Sequence, residues 1–270
     1  MNNQRPQILL TNDDGIQSPG IWIAAEALSH LGYVTLVAPR EQASGAGRSL
    51  PITSDGIIQE TELQIGMQTW PVYSVGGTPA QAVQHALLEI MPCKPDLVVS
   101  GINYGENLGT DITVSGTVGA ALESAAMGIP SMAVSLQVFD DEYYGYSRKV
   151  DFSISAYFMR LIASKILRAP LPADVHLLNV NIPAGATKET PIRVCRQSHQ
   201  GYFIPVIVKE ASWKEPGRIS ARAEYDLETV GEDTDIYRIV VDKVVSVTPL
   251  SLDMTARIDL LDFEEELKKD

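Results

Sequence analysis

The first two hundred residues alternate apolar runs of strand length with segments of helical period, the signature of a parallel sheet covered on both faces by helices. Residues 7–12 read as the first strand. A helix follows from 19 to about 31, with Ser18 as N-cap, Pro19 at the first helical position and Gly32 closing it. Residues 33–38 form the second strand, and 51–76 lack helical period and suggest a small hairpin excursion. Thr78-Pro79 repeats the cap-plus-proline start for a helix to about 90. Residues 97–100 form a short central strand, 101–115 a glycine-rich loop, and 116–127 a helix of small residues capped by Ser115. Further strands are expected at 130–136 and 175–180, with a helix over 152–167 between them. From about 195 the chain turns polar and aromatic, then carries β-like runs at 236–241 and 244–247 and an acidic tail helix. This divides it into a core (1–194), an extended arm serving as dimerisation element or lid (195–240), and a C-terminal strand and tail helix packing on the core (241–270).

Composition narrows the function. At 270 residues and 45% hydrophobic the chain can bury a full core, which excludes a disordered or fibrous protein. A net charge of −13 argues against partners bound through a broad basic surface, such as duplex nucleic acid or an anionic membrane. Cys93 and Cys195 form no metal-knuckle or disulfide spacing, and no long apolar run marks a signal peptide or membrane span. A soluble cytoplasmic protein is expected.

In open parallel sheets ligands bind at the carboxyl ends of the strands, so the loops there are where chemistry belongs. Asn12-Asp13-Asp14-Gly15 ends the first strand. It reads either as a plain turn or as a cation site, because two adjacent carboxylates are unfavourable unless a metal or protons offset them. With no histidine or cysteine nearby the ion would be hard, Mg²⁺ or Mn²⁺ before zinc. The loop after the second strand, residues 39–50, holds Ser44, Gly45 and Gly47. It breaks the dinucleotide fingerprint and reads as a phosphate-contacting loop or a plain flexible one. Ser100-Gly101-Ile102-Asn103 leads through glycines to Ser115-Gly116-Thr117, a helix start that could receive a phosphate or merely pack tightly. No GxxxxGK[ST], G-x-S-x-G or HExxH occurs, and the four histidines are scattered.

Taken together these loops resemble the SurE family, stationary-phase survival proteins that are metal-dependent 5′-nucleotidases. The match runs from Ile8 to Thr255 and is carried by Thr11-Asn12-Asp13-Asp14-Gly15-Ile16, Ser44-Gly45, Gly77-Thr78-Pro79-Ala80 and Ser100-Gly101-Ile102-Asn103. Asn107-Leu108-Gly109, Ser115-Gly116-Thr117-Val118, Asn179-Val180-Asn181-Ile182-Pro183, Asp233-Thr234-Asp235 and Ser246-Val247-Thr248-Pro249-Leu250 extend it. The resemblance implies a Rossmann-like three-layer α/β/α fold with a mostly parallel sheet, a C-terminal β-hairpin extension and a tail helix. It also implies one divalent cation per subunit on Asp13, Asp14, Ser44 and Asn103, and a homodimer or homotetramer formed through the C-terminal arm. Where the commonest bacterial pattern carries arginine and asparagine before the serine, this chain has Gln42 and Ala43.

The expected reaction is hydrolysis of nucleoside 5′-monophosphates, with 3′-nucleotides and short polyphosphate as further candidates. Asp13 and Asp14 anchor the ion, Asp13 also orienting or deprotonating the water, while Ser44 and Asn103 add neutral oxygens so that the site keeps positive charge for the substrate. Asn12 and the groups around Ser44, Gly45, Ser115, Gly116 and Thr117 are the expected phosphate contacts. The rival readings are a non-catalytic nucleotide-binding regulatory module and a Rossmann oxidoreductase, the latter disfavoured by the broken glycine fingerprint.

Overall fold

A computed structural model describes residues 5–138, 150–209, 213–215 and 217–269. Its centre is β1 (Gln7–Thr11), whose Ile8, Leu9 and Leu10 have no exposure, as suits a strand covered on both faces. Alternation sorts them: Ile8 and Leu10 join the cluster with helices α1 (Pro19–Ser29) and α4 (Ser153–Ile166). Leu9 joins the opposite cluster, with α2 (Pro79–His85) and α3 (Gly116–Ala126). The three layers are therefore built from one period-two pattern between two helical ones.

The other strands are β2 (Tyr33–Pro39), β3 (Ile58–Ile65), β4 (Gln68–Val75), β5 (Leu97–Tyr104), β6 (Ser131–Leu136), β7 (Leu177–Ile182), β8 (Ile192–Val194) and β11 (Val245–Leu250). With β1 they form a nine-stranded sheet in the order β3-β4-β2-β1-β5-β6-β7-β11-β8. The run from β4 to β7 is parallel, with β3 antiparallel to β4 and β11 antiparallel to β7. The expected hairpin excursion is β3–β4, and its second strand joins the main sheet. Because the chain runs outward from β1 through β2 and β4, then crosses back to β5 on the other side of β1, the order reverses between β1 and β5. That is the crevice where ligands of such sheets bind.

Several expectations need correction. The central strand does not stop at residue 100: β5 runs on through Tyr104, all eight residues buried, so Asn103 lies at a strand end instead of in a loop. Ser18 occupies the N-cap position of α1 but makes no side-chain cap bond, whereas Thr78 forms a full capping box with Gln81 at α2, which passes into a π-helical turn over Ala86–Ile90. The β-branched run after residue 235 is a helix, α5 (Asp235–Val240). Ile236 and Ile239 bury together one turn apart, and the Asp235 carboxylate collects the N–H groups of Gly109, Ser198 and Ile236, each at 2.9 Å, at the helix start. Within the region expected as an arm, β9 (Phe203–Lys209) and β10 (Arg218–Ala223) form a separate antiparallel pair. Around its base Leu108, Tyr202, Val230, Ile236 and Ile239 make a small core of their own, so only the hairpin projects. The tail helix α6 (Leu260–Leu267) forms as expected but does not pack on the core in the single chain, since none of its residues is buried.

Candidate functional site

The site grows from the ends of β1, β2 and β5. Beyond Thr11 the chain makes a tight turn in which the Asn12 amide donates to Gly15 O (3.0 Å) and accepts from Gly15 N (3.1 Å). Gly15 supplies the positive φ of +93° that the turn requires. The loop after β2 locks onto this turn, with Ala43 N donating to Asp13 O at 2.7 Å and Ile16 N to Pro39 O at 2.9 Å. Asp13 and Asp14 are thereby buried side by side, 4% and 2% exposed.

Each carboxylate has its own surroundings. Asp13 faces the first turn of α3: the Thr117 hydroxyl donates to its Oδ1, and the backbone amides of Gly116 and Thr117 also favour its charged form. Gly116 is a glycine for want of room, since a Cβ there would lie 2.7 Å from Asp13 Cβ. Asp14 accepts from Tyr104 N at 3.3 Å, which ties the end of β5 to the turn after β1, and from Gln42 Nε2 at 3.4 Å. The same Gln42 nitrogen donates to Ser44 Oγ at 3.1 Å, so this exposed amide bridges two candidate ligands. Asn103 spends its amide nitrogen on Gly105 O (2.7 Å) and Tyr104 O (3.2 Å), leaving the side-chain carbonyl as its ligating end.

Electrostatics make the pair unstable as two bare anions. Burial pushes Asp13 above the ordinary carboxylate range against the opposing pull of Thr117 and the α3 amides. Burial, followed by the charge of Asp13, drives Asp14 well above it. Among the described residues no ion pair involves Asp13. Just below, in paired positions on β1 and β5, the hydroxyls of Thr11 and Ser100 are buried without a hydrogen-bond partner. No group of three or more His, Cys, Asp or Glu is gathered among the described residues. Two carboxylates, with the Ser44 hydroxyl linked to Asp14 through Gln42 and the Asn103 carbonyl at the end of β5, are oxygen donors that could hold a hard divalent cation.

Every residue singled out in the sequence lies at this end of the sheet, though not always as expected. Asn12 has its side chain engaged in the turn and Ser115 accepts the N–H of Val118 at 3.1 Å, while Gly116 and Thr117 address Asp13. Ser44 and Gly45 are exposed, and nothing lies within 4 Å of where a Gly45 side chain would stand. Sequence reasoning missed the Tyr104 N–H, because a backbone donor leaves no residue signature. Gln42 was visible only as a departure from the common pattern.

A doubly covered, mostly parallel sheet with a buried carboxylate pair at its switch point defines a Rossmann-like α/β protein. The family model for Survival protein SurE matches residues 8–203. The 5′-nucleotidase SurE of Methanosarcina acetivorans is 41% identical over 269 residues, covering 97% of this chain and 98% of the relative. That of Thermococcus gammatolerans is 42% identical over 254 residues, covering 94% and 92%. The crystal structure of the SurE protein from Aquifex aeolicus superposes with a TM-score of 0.77 at 35% identity, covering 97% of this chain and all of that one. The chain belongs to the SurE family.

Proposed function

We infer that this protein is a 5′-nucleotidase, hydrolysing nucleoside 5′-monophosphates to nucleoside and inorganic phosphate. The observation that carries the reading is the buried Asp13–Asp14 pair, flanked by the neutral oxygens of Ser44 and Asn103, in a chain similar over nearly its whole length to proteins named for that activity.

Asp13, Asp14, Ser44 and Asn103 would hold one divalent cation, Mg²⁺ or Mn²⁺. When bound, such an ion polarises a phosphoryl oxygen and makes a coordinated water more acidic. The two aspartates would offset the charge of the ion, and Ser44 and Asn103 would complete the donor set without adding further negative charge that would repel a phosphate. Ser44 and Gly45, open to solvent on the loop after β2, offer N–H groups to the remaining phosphoryl oxygens. Asp13, fixed by Thr117 and the start of α3, is suited to orienting the attacking water. One proton of that water ends on the nucleoside oxygen that leaves, and the other stays on phosphate.

The β9–β10 hairpin, with Ile207 and Ile219 more than two-thirds exposed, is suited to joining subunits in a homodimer or homotetramer. The two cysteines are free, which is compatible with the cytoplasm, and among the described residues no helix is long and apolar enough to cross a membrane.

Phosphate release from a panel of nucleoside 5′- and 3′-monophosphates, with Mg²⁺, with Mn²⁺ and with chelator, tests the reading. The expected result is cation-dependent release that is absent in Asp13→Asn and Asp14→Asn. Cation-dependent turnover retained in either variant would overturn the assignment. Nucleotide binding without turnover by the wild-type protein would establish the non-catalytic module instead.

A further inference from the structure

The start of α3 reads in sequence as a phosphate cradle, but its side chains are turned inward. Thr117 has no solvent exposure and gives its hydroxyl to Asp13 Oδ1. Ser115 is taken up by Val118 N–H, and Gly116 brings its bare Cα against Asp13, leaving less space than a methyl group needs. An aspartate's terminal torsion is broad and two-fold, so burial alone does not choose which oxygen points where. A fixed donor does.

We propose that Thr117 is a positioning residue for Asp13: its hydroxyl pins Oδ1 and so sets the plane of the carboxylate that would ligate the cation, without touching substrate. The inference rests on the proposed role of Asp13 as a cation ligand. Partners of metal ligands commonly account for about 10–100-fold in metal affinity, because an unpinned ligand must be ordered when the ion binds. Thr117→Val keeps the shape of the side chain and removes the hydroxyl, whereas Thr117→Ser keeps the hydroxyl and removes the methyl.

The test is Mn²⁺ affinity, read by electron paramagnetic resonance of free ion and by calorimetry without nucleotide, alongside steady-state kinetics at saturating Mn²⁺. Thr117→Val should weaken Mn²⁺ binding about 10–100-fold, and Thr117→Ser should restore most of it. The KM for nucleotide at saturating Mn²⁺ should stay close to that of the wild type in both. Wild-type Mn²⁺ affinity in Thr117→Val, with Asp13→Asn showing the expected loss, overturns the role of Thr117 alone. A raised KM with unchanged Mn²⁺ affinity overturns it too and returns Thr117 to the substrate. Mn²⁺ affinity unchanged in Asp13→Asn overturns the cation reading of the site itself. Should Thr117→Val fail to fold, Thr117→Ala carries the same comparison, leaving a small void in place of a methyl beside a carboxylate.

Discussion

Gly116→Ala separates fold from site more sharply than any removal of a ligand. The new Cβ would stand 2.7 Å from Asp13 Cβ, 2.9 Å from Asp13 Oδ2 and 3.2 Å from Ala43 O. Ordinary contact begins at 3.4 Å, so Asp13 and α3 must part by roughly 0.7 Å. Alanine is the better helix former by at most about 1 kcal/mol, and overpacking of this kind costs about 1–3 kcal/mol. The net loss of stability is thus on the order of 1–2 kcal/mol, a few degrees in Tm. Catalysis should suffer out of proportion. A displacement approaching 1 Å at a reacting centre can cost about 10²-fold, equivalent to about 2.7 kcal/mol of barrier. The assay is kcat/KM for a nucleoside 5′-monophosphate at saturating Mn²⁺, measured well below the melting transition of both proteins. Wild-type kcat/KM in a folded Gly116→Ala protein would refute the claim that the start of α3 sets the position of Asp13.

Asp14→Asn should raise the thermal stability of the chelator-treated protein, since it removes the charge that burial and Asp13 disfavour, while abolishing turnover; differential scanning calorimetry and phosphate release check the two halves. Both aspartates have folded-state pKa values raised above their unfolded ones, so their contribution to the metal-free fold is fully present below the ordinary carboxylate range and is lost as pH rises through the raised values. Tm in chelator should accordingly fall over that interval, and the gain on adding Mn²⁺ should grow with pH; a gain independent of pH would contradict the assignment. Arg48 pairs at 2.7 Å with Glu123, whose side chain is 5% exposed and also accepts from Gln84. Arg48→Ala should cost about 1–3 kcal/mol, discounted for the half-exposed arginine, and is read by thermal denaturation.

The carboxylate pair was legible because two adjacent acids at a strand end call for an offsetting charge, strand–loop–helix order told which end of the sheet the loops share, and Ser44 and Asn103 entered as ligands only through the family resemblance. What α3 does was not legible. A helix start announces donors but not which anion takes them, and Asp13, more than a hundred residues upstream, is brought there by the pairing of β1 with β5 and by the loop after β2. The missed helix at α5 has a similar cause. Ile236, Tyr237, Ile239, Val240 and Val241 carry β propensity, yet the small core under the hairpin and the three N–H groups on Asp235 outweigh it. Ser18 stands at the N-cap as read, but the sequence could not tell that its hydroxyl would reach no N–H of the first turn.

The reversal of strand order at β1 also has a bearing on how the chain comes into being. Asp14 and Tyr104, joined across the site, are 90 residues apart in sequence. At synthesis rates of about 5–20 residues per second, roughly 5–18 s separate the emergence of the two. For that interval β1 is the open edge of a half-built sheet, and its aspartates lie in water, where adjacent charges cost little. Docking of β5 closes the edge, meets Asp14 through Tyr104 N–H and delivers Asn103, and the start of α3 then closes over Asp13. On the proposed cation assignment, loading would await completion of the sheet, and a nascent chain stalled short of β5 should capture no Mn²⁺.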